Sequence, residues 1–477
     1  MGYKTGVDKK QQALLPISLD EYVPEEHICR IITAFTEQLD IAALGYKYAE
    51  CKRTGSSPYD PRMMLNLYIY GYLHRVRSSR RLRDEARRNV EVMWLMDGLT
   101  PDDKTICNFR KDNSKALRGT FLEFVRMCRK IGLYGEEVVA VDGTKFRADN
   151  SLKNQWNATV VDNELGRIEE KINRYLAALE EGDQEEEGRK EPTAEEIKAA
   201  LGRLEERKAL FEERKTQVAQ EGGISTVDAD ARLMRTGGDG RSIDVGYNVQ
   251  TVVDSKYHMI VDFKVTTSSN DFGTLHEMTE QAKEVLEVTE LTALADKGYY
   301  AGADIAACEE SSVTCLVAKK QAGGTVKTEE FSNSRFTYNR EKDVYVCPCS
   351  KEMGYKCTTK KNRGIPYRRY VNYEACRTCP RKAECTKCNF REIWRLPYHD
   401  ILDIVDERTR KNKALYRRRQ EIVEHVFGTV KAVWGYKQFL CRTIPKVTTE
   451  TALAYLAYNM RRVINIFAEA QVKPVFG

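Results

Sequence analysis

The chain has 477 residues, 42% of them hydrophobic, and 77 Lys plus Arg stand against 71 Asp plus Glu for a net charge of +6. That length exceeds what one core ordinarily supports, so several domains are expected, and the apolar content excludes a disordered polymer. No uncharged apolar run of roughly 18 residues occurs, and residues 1–20 hold no apolar stretch before a cleavage site, which predicts a cytoplasmic protein without a membrane span.

Residues 15–135 read as helical. Met64, Leu67, Tyr68 and Leu73 share an apolar surface within residues 58–75, Ser78 and Ser79 offer a cap for an arginine-rich helix, and Asp97-Gly98 marks a turn. Residues 105–111 then read as a short helix that shows Arg110 and Lys111. With Arg80 and Arg81 this layout suggests a helix-turn-helix on DNA, while a helical bundle with a solvated arginine face is the simpler reading of the same pattern. Cations also bunch at 360–382 and 408–419, which are candidate phosphate-facing surfaces.

The pattern changes at residues 138–141, a short apolar run that ends in Asp142-Gly143 and predicts a buried strand followed by a turn. Strands at 242–253 and 258–265 are expected to form a hairpin through 254–257. A helix over about 271–286, capped by Ser269 or Asn270, leads to a strand at 291–295 that ends at Asp296, and a fifth strand follows at 313–318. Two segments interrupt this sheet. Between 160 and 222, Leu165, Ile168, Ile172, Tyr175 and Leu179, then Ile197, Leu201, Leu204 and Phe211, keep helical spacing, with Thr193 and Glu196 as a capping box, so a long helical hairpin is predicted. Residues 325–396 hold seven of the 14 cysteines.

Cleaving a phosphodiester requires an attacking oxygen to be activated and a leaving oxygen to be stabilised. Two divalent ions about 3.5–4 Å apart do both, and hard cations prefer carboxylate oxygens. Asp142 and Asp296, each closing a short apolar run, are candidates for that role. A third is Glu424, in a basic helix where Arg417, Glu424 and Lys431 recur every seven residues and so should stack on one face; Glu421 is its rival. Cys376-x2-Cys379, with Cys385 and Cys388 behind and Cys347, Cys349 and Cys357 upstream, has the spacing of a structural zinc site. The set Cys347, Cys376, Cys379 and Cys385 is the preferred assignment among these seven thiols. His425 is expected in the core or behind the site, and His74, His258 and His276 as packing or surface residues.

Together the segments Pro58 to Arg62, Ser78 to Leu82, Asn89 to Trp94, Asp142-Gly143-Thr144-Lys145, Gly246-Tyr247-Asn248, Asp296-Lys297-Gly298-Tyr299 and Val423 to Gly428 give a chain that resembles the DDE transposases of bacterial insertion sequences, most closely the insertion sequence 1182 family. The resemblance implies an RNase H-like core that uses two Mg2+ or Mn2+ ions held by Asp142, Asp296 and Glu424, hydrolysis at the ends of the element, and attack of the freed 3′-hydroxyl on target DNA. It also implies a homodimer on DNA, with Arg80, Arg81, Arg110, Lys111, Arg417, Arg419 and Lys431 as DNA contacts. In one place the pattern departs. The family spacing Y-x2-R-x3-E-x6-K puts Arg417 and Gln420 where Tyr and Arg belong, so either the helix adjusts locally or Arg417 binds phosphate in place of Arg419.

The expected architecture is multidomain: a helical DNA-binding domain (1–135), an RNase H-like α/β core in two parts (136–159 and 223–324), a helical hairpin insertion (160–222), a cysteine-rich zinc-ribbon-like insert (325–396) and C-terminal helices completing the core (397–477). A DNA-binding protein that has lost catalysis and a junction-resolvase-like nuclease are the alternatives.

Overall fold

The computed structural model describes residues 18–50, 57–181, 194–221, 223–236, 242–319, 329–361 and 365–470. Its N-terminal region is helical: α1 (Ile28–Glu37), α2 (Pro61–Leu73), α3 (Ser79–Arg88), α4 (Val90–Leu95), α5 (Asp103–Asp112) and α6 (Ser114–Lys130). Asp60 starts α2 by accepting from the Arg62 N–H, with Pro61 at the first helical position, where its missing N–H costs nothing. Ser78 stands at the predicted start of α3 but makes no side-chain cap hydrogen bond. Asp97 and Gly98 take φ of 48° and 74° and make the predicted turn.

The central sheet contains β1 (Val138–Arg147), β4 (Arg232–Thr236), β5 (Ser242–Asp254), β6 (Ile260–Thr266), β7 (Leu291–Ala295) and β8 (Val313–Val317), while β2 (Gln155–Trp156) and β3 (Ile224–Ser225) form a small separate pair. β5 joins β1 to both β4 and β6, all antiparallel, and β1 continues into the parallel pairs β1–β7 and β7–β8. The expected turn at Asp142-Gly143 is absent. β5 is long enough to keep pairing with β1 out to Arg147↔Gly246, whereas the parallel partner β7 stops at Val141↔Ala295. Asp142 therefore lies within a strand, at the point where its neighbour ends. The helix expected from 271 begins later, as α9 (Leu275–Leu286) after Thr274, because Gly273 at φ 78° turns the chain and Asp271 is held by β5 instead. After β7 come α10 (Gly302–Glu310) and β8, then the cysteine-rich segment, then α13 (His399–Lys411), α14 (Lys413–Phe427) and α15 (Ile444–Glu469), the short α11 and α12 being described with that segment.

Alternation along β5 separates the two faces of the sheet. Thr251, which pairs with Asp142, hydrogen-bonds Tyr455 of α15, and Arg419 of α14 reaches Asp142, so the C-terminal helices cover that face. Gln250 points to the other face, towards Thr274 at the start of α9. One continuous core runs from Val23 to Val463 through the N-terminal helices, the sheet and α15. A buried ion pair between Arg118 of α6 and Asp262 of β6 helps tie the helical region to the sheet, which therefore share a single core.

Both interruptions fold around their own small cores. The hairpin is α7 (Ala158–Glu181) and α8 (Ala194–Glu221), footed on β2–β3, with Val161, Ile168, Phe211 and Val218 buried between the helices and Lys215–Asp162 and Lys208–Glu169 ion pairs outside. Thr193 of the expected capping box and the Leu179 side chain lie outside the described residues. The cysteine-rich segment is an antiparallel sheet of β9 (Thr337–Asn339), β10 (Val344–Val346), β11 (Glu352–Lys361), β12 (Ile365–Val371) and β13 (Glu392–Arg395), with α11 (Tyr373–Arg377) and α12 (Lys382–Cys385) between the last two strands. Phe336, Tyr345, Met353, Tyr370 and Ile393 form its core. No described helix is long and apolar enough to cross a membrane.

Candidate active site

Because Val141 pairs with Ala295 in parallel register, the next residue on each strand is an aspartate, and Asp142 and Asp296 stand side by side where β7 ends. Asp142 accepts from the Gly143 N–H (2.9 Å) and from Arg419 Nη1 (3.2 Å). Burial raises its pKa to about 6; Arg419 opposes the rise, while the negative charges of Asp296 and Asp271 add to it. Asp296 caps the short turn that follows β7 by accepting from the Gly298 N–H at 2.5 Å. These carboxylates fit a divalent cation, since hard oxygen donors meet at a strand edge and mutual repulsion costs energy that a cation would relieve.

The basic helix meets the site differently from its seven-residue repeat. Arg419, half-buried, is the arginine that faces Asp142, whereas Arg417 is exposed. Beyond Phe427 the backbone loosens into a π-helical turn (Gly428–Val433), which breaks the phase between Glu424 and Lys431. Lys431 turns onto β1, where Nζ donates to Thr144 Oγ1 (2.9 Å) and the Lys145 carbonyl (2.6 Å), and burial lowers its pKa. Glu424 is exposed and accepts from Gln420 at 2.6 Å; among the described residues no contact of Glu424 with Asp142 or Asp296 is seen. Its rival Glu421 lies on the side of His258, whose pKa burial and Arg462 lower while Glu421 raises it. His425 bonds Tyr458 Oη at 2.7 Å, a packing role. Tyr299 is buried, donates to Gln250 and has its pKa raised well above 10 by burial first and then by the three aspartates, so it makes a poor nucleophile.

Asp271, expected only as the start of a helix, reaches this site as well. Its Oδ1 accepts from Asn248 Nδ2 (2.8 Å) and Gln250 Nε2 (2.5 Å), and it occupies the space a side chain at Gly143 would fill. No periodic pattern signals it, because its partners are more than twenty residues away on β5. Gly143, next to Asp142, and Gly298, two residues after Asp296, are the local signs of close packing at this point.

Of the N-terminal cations, Arg80, Arg81 and Lys111 are exposed. Arg110, half-buried, turns inward over the Tyr68 ring, with a buried Nη1. At α1 and α4, His27, Cys29 and Glu91 come together, their ligand atoms within 4.8 Å of one another. His27 Nδ1 accepts from the Cys29 N–H, and its Nε2 lies 3.6 Å from Glu91 Oε1.

In the cysteine-rich sheet, Cys347, Cys349, Cys376, Cys379 and Cys385 line one cavity, while Cys388 is exposed and Cys357 sits on β11 against Thr359. Burial and the neighbouring Cys379 and Cys347 raise the Cys349 pKa to about 11. Lys351 N–H donates to Cys347 Sγ at 3.4 Å. Thiols gathered in this way suit a thiophilic ion.

Residues 17–112 match the family model described as Transposase domain (DUF772), and residues 346–464 match the model described as Transposase DDE domain. No curated protein and no solved structure matches the chain. The two matched spans cover α1 to α5 and the stretch from the end of β10 into α15, including Glu424, and Asp142 and Asp296 lie between them. They support a DDE-type transposase, an enzyme class that acts on DNA.

Proposed function

We propose that the chain is a transposase that cleaves the ends of a mobile element and joins the freed 3′-hydroxyl to target DNA, with an RNase H-like core and membership of the insertion sequence 1182 family. The juxtaposition of Asp142 and Asp296 on adjacent parallel strands carries this reading. The aspartate-bearing β1 pairs antiparallel with β5, which carries β6 and β4 on its other edge, and parallel with β7, which pairs parallel with β8; this mixed arrangement supports an RNase H-like core.

Asp142 and Asp296, with Glu424 from α14, would hold Mg2+ or Mn2+, which supply Lewis acidity to the attacking and leaving oxygens. Arg419 neutralises Asp142 and offers its remaining donors to a phosphate, and Lys431 presents a desolvated ammonium one step along β1. Arg80, Arg81, Lys111 and Arg417 are exposed cations suited to the DNA backbone. The thiol cavity would hold a structural Zn2+ that fixes the cysteine-rich sheet, with Cys349 as a further candidate beside Cys347, Cys376, Cys379 and Cys385. A homodimer on DNA follows from the resemblance.

The test is to incubate purified protein with Mg2+ and DNA carrying the sequences that flank its own gene, comparing wild type with Asp142→Asn. The wild type is expected to nick and join, and the variant only to bind. A variant that still cleaves, or a wild type that only binds, refutes the reading.

A further inference from the structure

Gly143 within β1 and Gly298 in the turn after β7 both lie against one side chain, that of Asp271. A methyl group placed on Gly298 would meet Asp296 Oδ1 at 2.7 Å and Asp271 Oδ2 at 3.5 Å. On Gly143 it would meet Asp271 Oδ1 at 2.3 Å, Gln250 Nε2 at 2.4 Å and Asn248 Oδ1 at 3.0 Å. The carboxylates of Asp271 and Asp296 thus border the same small space above Gly298, and Asp142 feels the charge of both.

A second observation points to a ligand at this spot. Asn248 is fully buried, its Nδ2 donates to Asp271, and its Oδ1 has no hydrogen-bond partner. A buried carbonyl oxygen left unpaired is costly, and beside a carboxylate the groups that satisfy it are a donor or a hard cation. Gln250 holds the same Asp271 oxygen, so Oδ1 is fixed by two amides while Oδ2 faces Asp296.

We infer that Asp271 is an additional carboxylate of the divalent-cation site, joined to Asp296 through Oδ2, with the Asn248 amide as its support and as a neighbouring oxygen donor. This rests on the proposed reading of Asp142 and Asp296 as cation ligands and extends it to a loop before α9. The geometry assigns this role to Asp271 independently of Glu424, whose carboxylate meets Gln420.

The experiment is Mn2+ binding to the full chain without DNA, followed by the paramagnetic resonance signal of free Mn2+, for wild type, Asp271→Asn, Asp271→Glu, Asp142→Asn and Asp296→Asn. Thermal unfolding of each variant in chelator shows that it is folded. Asp271→Asn, which keeps the shape and both amide contacts, is expected to weaken Mn2+ binding by at least about tenfold, with Asp271→Glu recovering part of the loss. Should Asp271→Asn bind Mn2+ within twofold of wild type while Asp142→Asn and Asp296→Asn lose it, the role of Asp271 is overturned and the two-aspartate site stands. Should none of the three asparagine variants change binding, the inference falls together with the metal reading beneath it.

Discussion

Asp142 is a carboxylate that the fold holds at a cost, so its neutral isostere should make the metal-free protein more stable. Burial carries its pKa from the ordinary 3.8 to about 6, with 23% of the side chain still exposed. At 1.36 kcal/mol for each tenfold change in proton affinity this disfavours the charged form by up to roughly 3 kcal/mol, and solvent screening brings the expected value to about 1–3 kcal/mol. The sign follows from proton uptake. Between pH 3.8 and about 6 the folded state binds the proton more tightly than the unfolded chain, so stability falls as pH rises through that window and the penalty is complete above it. Denaturant unfolding in chelator should therefore show Asp142→Asn more stable than wild type at pH 7 by about 1–3 kcal/mol, with the gain vanishing near pH 4. A thousandfold excess of Mn2+ over Kd should reverse the order, because only the wild type gains the binding energy, about 4.1 kcal/mol. An Asp142→Asn protein that is less stable than wild type at pH 7 in chelator would refute the argument.

Arg419→Ala removes the cation facing Asp142 and should weaken Mn2+ binding at pH 6 more than at pH 8, whereas Arg417→Ala should leave Mn2+ binding unchanged and lower the salt dependence of DNA binding; both are read by titration. Gly143→Ala drives a methyl into Asp271 and Gln250 and should cost about 1–3 kcal/mol in denaturant unfolding while also weakening Mn2+ binding. Metal analysis of the purified protein should find zinc that is lost in Cys376→Ser and Cys379→Ser and kept in Cys357→Ser and Cys388→Ser. Equal zinc content in all four variants would remove the thiol site.

Apolar runs announced β1 and β7, and the acids that close them, Asp142 and Asp296, were legible as a pair before any contact was known. The cysteine spacing likewise marked the thiol cavity, although Cys349 entered it only through the β10–β11 turn. These signals are local: burial on both faces makes a strand apolar, and a ligand cluster repeats a residue type over a short span. Tertiary structure decided the rest. β1 runs past Asp142 because β5 is long enough to hold it, Arg110 turns inward because aromatic rings of α2 lie beneath it, and a π-helical turn replaces the seven-residue stripe after Glu424. Asp271 joins the aspartates through partners on a strand more than twenty residues earlier. Periodicity reports which side of an element is buried, but which long-range group a buried polar side chain meets is settled by packing alone.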